Sequence, residues 1–508
     1  MKHRLLSTLL VLASGVAGSA FAAPQSDDAA SRLNGKETAM PRNADVAPAS
    51  ESSPGAQVYA QQCAACHQAN GQGIPGAFPP QRGHAAELYN ADQGIGGRSY
   101  LSRALLYGLT GPISVEGTAY NGNMPAWSGA LSHQQTAEVL NYVLTAFGNN
   151  TQLPADYTPY TAQDIEAEAG KPLSGKEVHQ LRLALMGEED AASTPASEAL
   201  TAQAAKAPSV TLEEAVPAPI YVAVQNSGNV KVLPSKAAWP GVEGAHYDAL
   251  SPDGRQLLVS GFKTGNVYVM DTQDGDVMGS IAIGEVAQGV KISPDGRYGL
   301  AIAPQQGVAA VIDLSTLELV KKIDVGDTPH NAIFSADGSL AYVTLQGQGA
   351  IAVIDMQTLE KRREIATPGL DTPHNIDLSE DGRSLWLRDF VGNVGVLDLE
   401  SDEMLKTFKV GNGHGGIDVI PGGQYVATGA ISDSRVTFID LNKLEIVANV
   451  EVGTGPHGVR ASADGRYLYA SLTADNSVAV IDTRSLKVVR QEPVGGDFPF
   501  WIAVPGNP

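Results

Sequence analysis

The sequence predicts a multidomain protein: an all-α domain near the N-terminus, then an all-β propeller of seven blades. Three observations carry that expectation. A unit of about 42 residues recurs from residue 216 to the C-terminus. A single Cys-x-x-Cys-His motif, Cys63 to His67, heads a stretch with helical periodicity. Between them runs a segment of Ala, Ser, Glu and Thr with few apolar anchors. At 508 residues the chain exceeds one average domain. The expected boundaries are 54–187 for the first domain, 188–215 for a flexible linker and 216–508 for the propeller.

Charge and the N-terminus narrow the setting. A formal charge of -21 argues against nucleic acid or an anionic membrane as partner. Residues 1–22 read as a secretory signal: Lys2, His3 and Arg4 give the charged start, Leu5 to Val16 the short apolar run, and Ala20-Phe21-Ala22 a cleavage site after Ala22. That run is too short to span a bilayer comfortably, and no other long apolar stretch follows, so no membrane span is expected after signal removal. The expected location is the periplasm. Residues 23–53 are polar and small and read as a disordered leader.

In the first domain, Gln57-Val58-Tyr59 opens a short helix that delivers Cys63-Ala64-Ala65-Cys66-His67. Two thiols on one short turn can each form a thioether to a haem vinyl group, and the next residue, His67, is then held under the porphyrin as proximal iron ligand. These are the only two cysteines, so no disulfide is expected. A redox CxxC does not need the histidine, and a zinc site would need a second pair. Gly- and Pro-rich turns follow (Ile74-Pro75-Gly76, Phe78-Pro79-Pro80), and Ser99 to Leu109 has a helical pattern. Met124, 57 residues after His67, lies in Asn123-Met124-Pro125-Ala126-Trp127 and is the only methionine between Cys66 and the end of the next helix. A thioether on the distal side of a haem raises its potential. Ser132 is placed to cap a closing helix with Val139, Leu140, Val143 and Leu144 on one face. A further helical pattern opens at Ser174.

Together Gln57-Val58-Tyr59, Cys63 to His67, the Pro79-Pro80 turn, Asn123 to Trp127 and the helix from Leu131 to Phe147 resemble class I cytochrome c domains. The resemblance implies one covalent haem c with His67/Met124 ligation and one-electron transfer with a redox partner protein. His84, His133 and His179 match no ligand position and are expected at the surface.

The propeller rests on two repeat marks. Ser-x-Asp-Gly recurs at Ser251, Ser293, Ser335, Ser379 and Ser462, with a degenerate copy at Ile420-Pro421-Gly422-Gly423. An apolar strand ending in Asp recurs at Asp271, Asp313, Asp355, Asp398, Asp440 and Asp482, at spacings of 42, 42, 43, 42 and 42. Four short strands per unit of this length make a blade. Six units are whole. The seventh is split: Ile220–Gln225 and Asn229–Leu233 supply its middle strands and Phe500–Val504 its innermost, which closes the ring and removes the free edge. The stretch 219–505 resembles YVTN-type propellers, whose naming repeat stands here as Ala341-Tyr342-Val343-Thr344. That resemblance specifies fold, not function.

Aligning the blades shows a second pattern. The residue five before the repeat serine is His246, Gln288, His330, His374, Gly415 and His457, with His414 one place earlier in the fifth unit. Equivalent positions lie at one level of the channel, so five imidazoles are expected to converge. Three readings stand open. The histidines follow from duplication of turn sequences. Or they form a metal site, most plausibly copper, since imidazoles without thiolate suit copper or zinc; this is similar to the histidine-lined propellers of nitrous oxide reductase and thiocyanate dehydrogenase. Or the channel holds a second haem, as the layout's likeness to haem-d nitrite reductases implies. Asn331, Asn375 and Arg460, close by, are candidates for orienting a small anion. The functional expectation is an oxidoreductase passing electrons between haem c and the histidine site, with a small-molecule or anion substrate. The alternative is a non-enzymatic carrier whose propeller is a docking platform.

Overall fold

The computed structural model describes residues 47–50, 52–68, 70–73, 78–124, 126–128, 131–188, 210–370 and 372–507. The secretory segment 1–22 with its cleavage point, most of the leader, the turn at 74–77 and most of the linker lie outside these residues.

The first domain begins with α1 (Pro54–Val58). Pro54 sits in its first turn and Ser53 caps it, its Oγ accepting from the Ala56 amide at 3.2 Å. A π-type turn, Tyr59–Cys63, leads into α2 (Ala64–His67). Gly55 is needed where α1 crosses the closing helix: a Cβ there would lie 2.1 Å from the Glu138 carbonyl oxygen. Next come α3 (His84–Asn90) and α4 (Gly97–Tyr107), and then a hairpin, β1 (Leu109–Val115) and β2 (Thr118–Met124). The sequence reading did not contain this hairpin. Its turn residues, Glu116 and Gly117, both take positive φ (50° and 76°), the two-residue geometry that matches strand twist, but Glu-Gly is a weaker signal for it than Asn-Gly.

The closing helix, α5 (His133–Thr145), is capped by Ser132, which with Gln135 forms a reciprocal capping box. Two helices then follow where one was expected. The first, α6 (Ala162–Ala169), is boxed by Thr161 and Asp164; the second, α7 (Gly175–Met186), by Ser174 and Glu177. The core gathers Val58, Tyr59, Leu105, Trp127, Leu140 and Leu144. Full burial of each such side chain is worth about 1.5–3 kcal/mol.

The second domain is a ring of seven four-stranded antiparallel sheets. Six blades are continuous in sequence, and the seventh joins Pro499–Ala503, innermost, to Ile220–Val224, Asn229–Leu233 and Ala237–Pro240. The repeat serines and aspartates build the turns. Ser251 Oγ donates to Asp253 Oδ1 (2.7 Å) and accepts from the Gln256 amide (2.9 Å); the bond from serine to aspartate recurs at Ser293, Ser335, Ser379 and Ser462. In the degenerate copy Glu380 of the neighbouring blade substitutes, accepting from the Gly422 amide at 2.9 Å. The strand-end aspartates accept from amides two or three residues on, as Asp313 does from Ser315 (2.9 Å). Outer strands face solvent, so Glu360–Ala366 buries only Ile365, while middle strands such as Ala350–Asp355 are buried almost throughout. A short helix, α8 (Leu212–Ala215), lies inside the stretch read as linker and packs Leu212 and Ala215 against the closing blade.

Candidate functional site

Local structure fixes the chemistry at His67. Its ring ends α2, and Nδ1 stands 2.9 Å from the Pro79 carbonyl oxygen and 3.0 Å from Gln81 Nε2. A carbonyl can only accept, so Nδ1 carries the proton and donates to Pro79. Nε2 is then a bare lone pair, the form an iron ligand needs. Burial holds the imidazole below its ordinary pKa, which keeps it neutral. Cys63 closes the turn before α2 and Cys66 is the third residue of that helix. Met124 ends β2, paired with Leu109, and packs with Cys63 and Ala64 against the domain core. The Cys63 thiol, a neutral imidazole with one free nitrogen and the Met124 thioether, with Cys66 next to His67 in the chain, are the donor set that haem c needs.

The propeller histidines meet as the repeat alignment implies, but not as five equivalents. Ring centroids run 3.5 Å from His330 to His374, 4.6 Å from His374 to His414 and 4.9 Å from His414 to His457. His374, His414 and His457 each offer one nitrogen, all three within 4.8 Å of one another. His374 Nε2, His414 Nδ1 and His457 Nε2 are buried with no hydrogen-bond partner among the described residues. His457 Nδ1 donates to the Phe500 carbonyl (3.1 Å), which leaves its Nε2 unprotonated. Gln346 Nε2 donates to His374 Nδ1 at 2.8 Å; turning the Gln346 amide over would instead set its oxygen against that nitrogen and free Nε2 of His374. Burial lowers the pKa of all five rings, His330 and His457 to about 3, so they are neutral at pH 7.

His246 stands apart from this set. Its two nitrogens lie 2.7 Å from Gln225 Oε1 and 3.0 Å from Gln288 Oε1, and its ring stacks on Phe500 at 3.8 Å. His330 donates Nδ1–H to the His374 carbonyl (3.1 Å) and stacks on that ring. The fifth blade carries its histidine one place early because Gly415, at the aligned position, has no room: a Cβ there would lie 2.3 Å from the Gly429 carbonyl oxygen.

The three residues read as anion contacts are committed elsewhere. Arg460 Nη1 is paired with Asp418 at 2.6 Å and Asp377 at 3.5 Å, and both carboxylates hold it charged. Asn331 Nδ2 donates to Asn375 Oδ1 (2.6 Å), and Asn375 Nδ2 donates to the Gly415 carbonyl (2.7 Å). These are bonds between blades, not a ligand site.

Against known proteins, residues 52–147 match the family model described as Cytochrome c, and residues 388–497 match the one described as Cytochrome D1 heme domain. The N-terminal part is 46% identical over 124 residues to cytochrome c-552 of Thermus thermophilus, covering 24% of this chain and 90% of that protein. The chain belongs to the cytochrome c family. Its cytochrome c segment is also 32% identical over 108 residues to the cytochrome c subunit of a quinone alcohol dehydrogenase of Gluconacetobacter polyoxogenes, spanning 21% of this chain and 22% of that subunit. Hydrazine synthase of Kuenenia stuttgartiensis superposes at a TM-score of 0.48 with 22% identity, over 52% of this chain and 90% of that one.

Two histidines of the cytochrome c domain depart from the surface reading. His133 is exposed, but His84 and His179 are 5% and 4% exposed. His84 Nδ1 pairs with Glu87 (2.8 Å), and His179 Nε2 lies 2.5 Å from the Pro112 carbonyl on the hairpin the sequence reading lacked. Phe78 went unnoticed as a functional residue. It stands edge-on to His67 (6.5 Å, 71°) and stacks on Phe390 (5.4 Å, 23°) and His414 (6.0 Å, 18°). Phe262 likewise packs against the cytochrome c core and lies 4.7 Å from His246. No sequence signal marks either, because each contact joins residues far apart in the chain.

Proposed function

We propose that the protein is a periplasmic oxidoreductase that carries single electrons between haem c, held by Cys63, Cys66, His67 and Met124, and a metal ion, copper by donor type, held by His374, His414 and His457. The observation that carries this reading is Phe78, in contact with His67 on one side and with His414 on the other. Haem c, when bound, supplies a one-electron couple. The chain's own residues do the rest. Pro79 orients the His67 ring, Met124 would supply a thioether ligand to the iron, and Phe500 and Gln346 orient the imidazoles of His457 and His374. Phe78 packs with Phe390, and Phe262 packs on the core of the haem-bearing domain beside His246, so apolar rings line this contact.

In this reading residues 1–22 export the chain, 54–187 form the haem-bearing domain, 188–215 connect it and 216–508 form the ring. The redox partner is a separate periplasmic protein; the likeness to a dehydrogenase's cytochrome c subunit supports a partner of that kind. Reductive titration of holoprotein tests the reading. An oxidoreductase with a copper site takes up about two electrons per haem, and a simple carrier takes up one.

One observation favours a second reading, a further haem in the propeller: the match of 388–497 to the Cytochrome D1 heme domain. Against it, Tyr247 (1% exposed) fills the channel with its ring 5.7 Å from His330 and 4.4 Å from Trp501. A haem count of two per chain would establish it.

A further inference from the structure

One buried cation beside the histidine cluster has no structural job for most of its donors. Arg388 is fully buried at the end of the strand Ser384–Asp389. Its Nη2 donates to the Gly411 and Gly413 carbonyls, at 2.8 and 2.5 Å, on the loop that carries His414. Nε and Nη1 are buried and have no hydrogen-bond partner among the described residues. Burying an arginine with two unsatisfied nitrogens is unfavourable unless something else pairs with them. The charge lies near enough to His414 and His457 to disfavour protonation of both.

The repeat makes the residue stand out. Arg388 lies nine residues after the repeat serine Ser379, and the same position holds Ser260, Thr344 and Ser471 in three other blades. Those hydroxyls are structural. Thr344 Oγ1 accepts from the Asn331 amide (3.0 Å) and donates to the His374 carbonyl (2.9 Å); Ser471 Oγ accepts from Gly458 (2.8 Å) and donates to Phe500 (2.8 Å); Ser260 Oγ accepts from Tyr247 (2.9 Å). A small hydroxyl satisfies that position. In one blade alone a guanidinium replaces it, beside the three histidines whose nitrogens are also unpartnered.

We infer that Arg388 is a substrate-positioning residue that holds a small monovalent anion against the metal at His374, His414 and His457. This rests on the metal-site reading above and deepens it by naming the ligand class. An anion there would accept from the guanidinium and ligate the metal, which satisfies donors and imidazoles at once. Nearby Asp389 does not compete: its carboxylate is filled by the amides of Val391, Gly392 and Asn393 and by Asn393 Nδ2.

Azide is a suitable probe, titrated by calorimetry into metal-loaded holoprotein while the haem Soret band is followed. The variants are Arg388→Gln, which keeps a donor for the Gly411 and Gly413 carbonyls, and Arg388→Lys, which keeps the charge. Loss of one charge-assisted hydrogen bond predicts at least about tenfold weaker azide binding for Arg388→Gln. Non-haem metal per haem stays unchanged in that variant, and Arg388→Lys retains most of the affinity. Equal azide affinity in Arg388→Gln at full metal content overturns the inference and leaves the metal site standing. So does azide binding seen only as a Soret shift, or a haem potential that moves in Arg388→Gln without added anion, which would assign the donors to a haem propionate. Absence of non-haem metal in the wild-type protein overturns both readings.

Discussion

Phe78 of the haem-bearing domain lies parallel to His414 of the propeller, 18° between ring planes and 6.0 Å between centroids, and edge-on to His67. One aromatic ring thus contacts the expected iron ligand and a histidine of the channel cluster. Stacked aromatic pairs of this kind contribute about 0.5–1.5 kcal/mol beyond the area they bury. Replacing Phe78 by Leu is therefore expected to leave the haem spectrum intact and to weaken the seating of the two domains by about that amount. Flash reduction of the haem would read it: relaxation into the channel site slows by up to about tenfold. An unchanged rate removes Phe78 from the path.

Met124 ends a strand whose partner residue is Leu109, so the hairpin sets where the thioether stands. Because a thioether raises haem potential, Met124→Ala is expected to lower it while Cys63 and Cys66 keep the haem covalently attached. Spectroelectrochemistry checks this, and a wild-type potential in the variant would remove Met124 as distal ligand.

Asp248 is buried, and neither of its carboxylate oxygens has a hydrogen-bond partner among the described residues. Burial raises its pKa well above the ordinary carboxylate value. The folded protein then binds a proton at pH values where the unfolded chain has released it, so this group lowers unfolding free energy as pH rises above the ordinary carboxylate range. Asp248→Asn should flatten that decline between pH 5 and about pH 7 in urea denaturation. Above that range Lys291, lowered to about 7 by burial, acts in the opposite direction. A variant with an unaltered pH slope would show that Asp248 is ionised in the fold.

Closure of the ring depends on Pro499–Ala503, which pairs with Ile220–Val224 from the other end of the domain. A chain ended after Val494 loses the innermost strand of one blade and exposes the edge of its neighbour. It also loses Phe500, on which His246 and His457 stack. Truncation is expected to abolish cooperative unfolding and the histidine cluster together, seen by calorimetry and by metal content.

The parts of this protein legible in its sequence are those written locally. Ser251 and Asp253 close a turn by themselves, and copies of that turn counted the blades. Cys63, Cys66 and His67 lie on consecutive turns, so their spacing carries the chemistry. Level alignment within the repeat also brought five histidines to the channel. What escaped was written at long range or by exception. Gln225 and Gln288, which occupy His246, come from the two flanking blades. His84 and His179 pass for surface residues until a hairpin and Glu87 supply their partners. Phe78 meets His414 across more than three hundred residues of chain. Arg388 was visible in principle, as the one cation at a position where three other blades carry a hydroxyl, but only its unpartnered nitrogens give that exception a meaning.

The ratio of non-haem metal to haem, measured on holoprotein and on its His374→Ala/His457→Ala variant, bears most directly on the central claim. The account predicts about one non-haem ion per haem in the wild-type protein and nearly none in the variant, with haem retained in both. Haem iron alone in the wild-type protein, or a ratio the double substitution does not change, would contradict it.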